Sequence, residues 1–199
     1  PPQPDAMPVL QAAVKAIQKH FAAADAAGST KTIEVLGSDQ QNKDIAVLVR
    51  GQLCTALSRV LLHGFKSFKL IGRYHIWDFV NESCEATHKR LKDSGGKYTS
   101  AERTLTTAVV EVNSHEGMAN NPNIKFRSFV CCGLNNRLLH EWVQVLTHDK
   151  EVMTKFYEPW AFVHAQAEAL TQMVDVMKPL SVYMYSLSLD YELSRWDLH

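Results

Sequence analysis

DIAVLVRGQLCTALSRVLLHG, residues 44–64, decides the fold of this chain. Ile45, Leu48, Val49, Leu53, Ala56, Leu57, Val60 and Leu61 recur at three and four residues, the spacing that puts them on one face of a helix. Such a face must pack against other elements, and Gly64 ends the pattern. Helical periodicity extends outward on both sides. Upstream, Pro8 suits a first helical turn, and Leu10, Ala13, Val14, Ile17 and Phe21 follow until Gly28. The polar stretch 29–43 between them has the composition of a surface loop. Downstream, residues 65–72 form a connector carrying Lys66 and Lys69, and Ile76, Trp77, Phe79, Val80 and Cys84 predict a helix over 74–90.

The rest of the chain keeps this period. Thr99 and Glu102 have capping-box spacing and open a helix with Leu105, Ala108, Val109 and Val112 inward. The apolar run 124–146 follows a turn cluster at 120–123, with Gly133 and Asn135-Asn136 expected to break it into two helices. A short helix carries Val152, Met153 and Phe156, and a last one runs from near His164 to Met177, where Pro179 kinks or restarts it. Residues 183–189 alternate in polarity, yet a lone strand has no partner, so helix is the expectation there. The sum is an all-α fold of about eight helices in one domain over 8–199, preceded by a proline-rich linker at 1–7. The absent initiator methionine suggests a piece of a longer protein.

Composition narrows the function. The 199 residues hold 21 Lys plus Arg against 21 Asp plus Glu. That leaves no basic excess to neutralise phosphates, so a generic nucleic-acid binder is excluded. No apolar run is long enough to span a membrane, so any membrane association is expected to be peripheral and through partners. Cys54, Cys84, Cys131 and Cys132 match neither a zinc site nor a disulfide framework, which suggests a reducing, cytoplasmic setting. Cys131 and Cys132 lie beside apolar neighbours where a thiolate is disfavoured, and His140 and His148 are too far apart on one helix to chelate a metal. No catalytic constellation, metal site or cofactor is therefore expected, and the chain reads as a binding module.

Cations cluster locally despite the zero sum. Arg59, His63, Lys66, Lys69 and Arg73 run along the end of the 44–64 helix and its connector, and Lys125, Arg127 and Arg137 flank the apolar run. Side by side they would make a positive patch suited to an acidic protein surface, with Phe65 and Phe68 as apolar anchors. For Lys66 the simpler reading is a cation offsetting a helix C-terminus.

Three blocks carry a family resemblance. LCTALSRVLLHGFK (53–66), FRSFVCCGLNNRLLHEW (126–142) and FYEPWAF (156–162) resemble, in order, three blocks of RUN domains. The second departs from the family's usual arginine-rich, Trp-containing form: Lys125 stands for one arginine and Phe129 for the aromatic, which keeps charge but loses bidentate geometry. The resemblance implies a non-enzymatic, all-helical module of larger adaptors. Such modules bind small GTPases of the Rab, Rap or Arf-like groups in their GTP form and link the adaptor to vesicle trafficking. It also allows a nucleotide-independent scaffold that binds a kinesin, another motor adaptor or a signalling protein. By resemblance His63, Lys125 and Arg127 face the GTPase, and the spacing of basic residues adds Lys66, Lys69 and Arg137 to the candidate surface. The ending KPLSV (178–182) with Leu189-Asp190 is similar to the adaptor subgroup that pairs a RUN domain with an SH3 domain.

Overall fold

The computed structural model describes residues 6–26, 38–68, 72–115, 121–165 and 167–189, and every regular element among them is helical. In chain order these are α1 (Ala6–Ala26), α2 (Ser38–Val47), a π-helical turn (Leu48–Leu53), α3 (Cys54–Leu61), α4 (Ile76–Ser94), α5 (Ser100–Ser114), α6 (Pro122–Asn135), α7 (Leu139–Leu146), α8 (Lys150–Phe156), α9 (Phe162–Ala165), α10 (Ala167–Met177) and a 3-10 segment (Lys178–Val182). α4 occupies the middle and packs on α5, α6, α7 and α8, while α1 lies along α3 and the π turn. Trp142, Tyr157, Phe79, Phe129 and Phe156 are the largest fully buried side chains, and they form the centre of the core.

The 44–64 stripe is helical but not uniform. Its first half is buried at every fourth residue, Ile45, Val49 and Leu53, before the pattern returns to Ala56-Leu57 and Val60-Leu61. A row repeating at four drifts around an α-helix of 3.6 residues per turn, and the wider π turn at 48–53 takes up that drift. Helix also begins earlier than expected, since α2 starts at Ser38 inside the stretch assigned to a loop. At the other end α3 stops at Leu61, so His63 and Lys66 lie beyond it and do not share its last turn with Arg59.

Local chemistry accounts for the other boundaries. The expected capping box forms: the Glu102 N–H donates to Thr99 Oγ1 (3.1 Å) and the Thr99 N–H to Glu102 Oε2 (2.8 Å). Burial pushes the Glu102 carboxyl up, but the bonds from Thr99 and Arg90 outweigh it and hold the group below the usual carboxylate range. Asn121 and Asp149 cap α6 and α8 through their side-chain oxygens. Gly133 does not break the apolar run as expected. It sits inside α6, where a Cβ would come within 2.8 Å of Leu139 Cδ1 and 3.1 Å of Trp142 Cε3, so it permits α7 to approach. The run does divide into two helices at Asn135-Asn136, as expected: Arg137 N–H donates to the Leu134 carbonyl and Leu138 N–H to the Gly133 carbonyl. This is a Schellman ending in which Arg137 takes the left-handed position at φ 58°.

Residues 183–189 form no helix, contrary to the expectation, and Tyr183 leads into them with extended backbone (φ −89°, ψ 150°). Leu187 and Leu189 are buried while Met184, Ser186 and Ser188 face outward, so the alternation is that of a strand. Side chains take the place of the missing strand partner.

Candidate partner-binding surface

Two of the three sequence blocks meet in space. After α3 the chain turns through Gly64 (φ 68°) and runs antiparallel to residues 156–158. The Lys66 N–H donates to the Phe156 carbonyl (2.7 Å) and the Glu158 N–H to the Gly64 carbonyl (2.8 Å), bracketing the Phe65–Tyr157 pair. A Cβ at Gly64 would stand 2.5 Å from the Ala161 Cβ and 2.7 Å from its Cα. Glycine is thus required twice, for the left-handed turn and for the contact.

His63 is pinned at this junction. The Phe162 N–H donates to its Nδ1 (3.0 Å). A nitrogen that accepts carries no hydrogen, so the ring hydrogen sits on Nε2, which is left as a donor. The Trp160 ring packs edge-on against the imidazole at 5.2 Å between centroids and remains 51% exposed. It is presented by a turn over Glu158, Pro159, Trp160 and Ala161, closed by the Ala161 N–H on the Glu158 carbonyl.

Lys66 serves a helix end, though not that of its own helix. Its Nζ donates to the Thr154 carbonyl (2.8 Å) in the last turn of α8, where carbonyls lack intrahelical partners. Phe65 is half-buried against Phe156 and Tyr157, so it plugs the core, whereas Phe68 is 77% exposed with the Arg73 guanidinium 5.4 Å above its ring. Lys69 lies outside the described residues.

Lys125 belongs to a different anchor. Its Nζ (3.3 Å) and the Trp77 indole N–H (2.9 Å) both donate to Asn113 Oδ1, whose amide nitrogen donates to Asn81 Oδ1 (2.8 Å). One carboxamide thereby ties α4, α5 and α6 together. Arg127 is half-buried two residues along α6, and Arg137 is exposed at the corner between α6 and α7. The candidate cations therefore sit at three stations: the His63–Lys66 junction, the start of α6 and its end.

All four cysteines are buried and none forms a disulfide; burial pushes the Cys132 thiol up to about 12 and also raises that of Cys84, so neither supplies a thiolate near neutral pH. Among the described residues no group of three or more His, Cys, Asp or Glu side chains could hold a metal ion. No described helix is long and apolar enough to cross a membrane. Sequence reasoning missed Trp160 and Asn113. Trp160 had a faint signal, a large aromatic after a turn proline; Asn113 had none, because its partners come from two other helices.

Comparison with known proteins agrees with the resemblance. Over 181 aligned residues covering 82% of the chain, it is 32% identical to small G protein signaling modulator 3 of Bos taurus and of Homo sapiens. Over 161 residues covering 79% of the chain, it is 24% identical to the AP-4 complex accessory subunit RUSC1 of Homo sapiens. The chain spans 24% of the length of the first of these and 17% of RUSC1. The family model described as the RUN domain matches residues 52–191, most of the chain, and the chain belongs to that family.

Proposed function

We propose that this domain is a non-enzymatic interaction module that binds a small GTPase of the Rab, Rap or Arf-like type in its GTP form. Through that partner it links an adaptor protein to vesicle trafficking or motors, and it works in the cytoplasm on endomembrane surfaces. The observation that carries the reading is the His63 junction in a RUN domain. Its imidazole has one nitrogen committed to the fold and one N–H left for a partner, beside a half-exposed indole. Backbone bonds on both sides hold the group in place, and such preorganisation limits the ordering cost of binding. Trp is among the residues that dominate interface energetics. A relative named as a small G protein signaling modulator supports the class of partner.

The fold role of His63 determines how to test it. Alanine would remove both the acceptor for Phe162 and the outer N–H. His63→Asn keeps an acceptor near the Nδ1 position and deletes the outer edge alone. Rab, Rap and Arf-like proteins loaded with GTP or GDP should be titrated against the chain and against His63→Asn and Arg127→Ala. The expected result is GTP-dependent binding that weakens about tenfold, or roughly 1.4 kcal/mol, in each variant, with cooperative thermal unfolding retained. Equal binding of the two nucleotide states would favour the scaffold reading, and no binding by any GTPase would end the proposal.

A further inference from the structure

The stretch 183–189 is held as a guest segment would be. Asn135, at the end of α6, uses both ends of its carboxamide on one residue: Nδ2 donates to the Leu187 carbonyl and Oδ1 accepts the Leu187 N–H, each at 2.9 Å. A side chain here reproduces the pair of bonds that a neighbouring strand would supply. Arg50, in the π turn, donates to the Ser188 carbonyl. Leu187 and Leu189 fill the core on alternate positions, and Phe21 of α1 is stacked on Tyr183 (4.3 Å) and met edge-on by Tyr185 (5.4 Å). The Tyr185 hydroxyl donates to the Leu180 carbonyl.

We propose that the groove between α1, the π turn and the end of α6 is a docking site for an extended peptide, whose resident occupant is the chain's own 183–189 segment. The peptide it takes has the pattern aromatic-x-aromatic-x-Leu-x-Leu, read in pockets at every second residue while Asn135 and Arg50 bind its backbone. Recognition through main-chain bonds with alternate side chains in pockets is how extended peptides join sheet edges, and this groove achieves it without a sheet. The occupant belongs to no helix, so the proposal places its opening apart from unfolding of the helices. When it leaves, Phe21 and the leucine pockets become available to a partner segment of the same pattern.

The test uses the full chain carrying Leu187→Asp and Leu189→Asp, which empties the groove. The probe is a fluorescein-labelled peptide of sequence SVYMYSLSLD, residues 181–190. The emptied chain should stay helical, unfold cooperatively and bind the peptide saturably. The unsubstituted chain should bind at least tenfold more weakly, because its own segment competes at high effective concentration. Adding Asn135→Ala to the emptied chain should cost at least another tenfold. Loss of cooperative folding in the emptied chain, absence of peptide binding, or indifference to Asn135→Ala would each overturn the proposal. Hydrogen exchange on the unsubstituted chain gives an independent reading. The Leu187 amide should exchange at least tenfold faster than the Trp142 amide, and equal rates would refute a separable segment.

Discussion

Two regions of the molecule outside its helices are each held by a pair of N–H···O bonds, and they draw those bonds from different sources. At the His63 junction the pair runs backbone to backbone around Phe65 and Tyr157, under a glycine that no other residue can replace without collision. At the C-terminal segment the same pair comes from the carboxamide of Asn135. The first arrangement has the chain on both sides and is sealed by Phe65, Phe156 and Tyr157 in mutual contact. The second has a backbone on one side only. The difference is between a junction closed by backbone on both sides and one closed by the side chain of a single residue.

The largest expected effect comes from breaking the first junction. Gly64→Val places a β-branched side chain at φ 68° and on top of Ala161, and should cost roughly 3 kcal/mol or more in urea unfolding, combining backbone strain with overpacking. His63→Ala leaves the Phe162 N–H without its acceptor and should cost about 1–2 kcal/mol, most of which His63→Asn restores. Asn135→Ala should change the global unfolding free energy by only about 1 kcal/mol, while hydrogen exchange of residues 183–189 accelerates. A global loss as large as that of Gly64→Val would erase the contrast between the two junctions. Lys66→Met is expected to fall below about 1 kcal/mol, since it removes only a half-exposed cation at the end of α8.

The smallest effect is a pH dependence from a half-buried histidine. Burial lowers the proton affinity of His140, at the start of α7; the Glu141 carboxylate at 3.8 Å opposes this and Lys178 adds to it. The unfolded chain therefore takes up this proton more readily than the folded one. Stability should be complete above the ordinary histidine range near pH 6.5 and decline as pH falls through it, levelling off below the folded-state value. His140→Gln should flatten that part of the curve in thermal melts from pH 7.5 to 5.

Periodicity carried most of the helical plan, because a one-face stripe such as Leu10, Ala13, Val14 and Ile17 has few ways to be buried. Caps were equally readable where side chain and backbone are neighbours, as at Thr99 and Glu102. The failures share one cause. Gly133 looked like a breaker because its reason for being small is Trp142, nine residues on and across a helix corner. The 183–189 alternation was set aside for want of a strand, when its partner is an amide 52 residues away. For the candidate surface, residue type and local spacing pointed to His63, Lys66, Lys69, Lys125, Arg127 and Arg137, of which Lys69 lies outside the described residues. Neither told which atoms the fold had already claimed.

The amino-acid order was enough to specify an all-helical domain of the RUN family, because local propensity, capping and stripe spacing are properties of neighbouring residues. It was also enough to mark the HGFK (63–66) and FYEPWAF (156–162) blocks as unusual. That these blocks lie against each other, that His63 spends Nδ1 on Phe162 and keeps Nε2, and that Asn135 takes the place of a strand depend on contacts between distant segments. Such contacts arise when the buried faces are packed together, and packing joins residues whose separation along the chain carries no signal of their meeting.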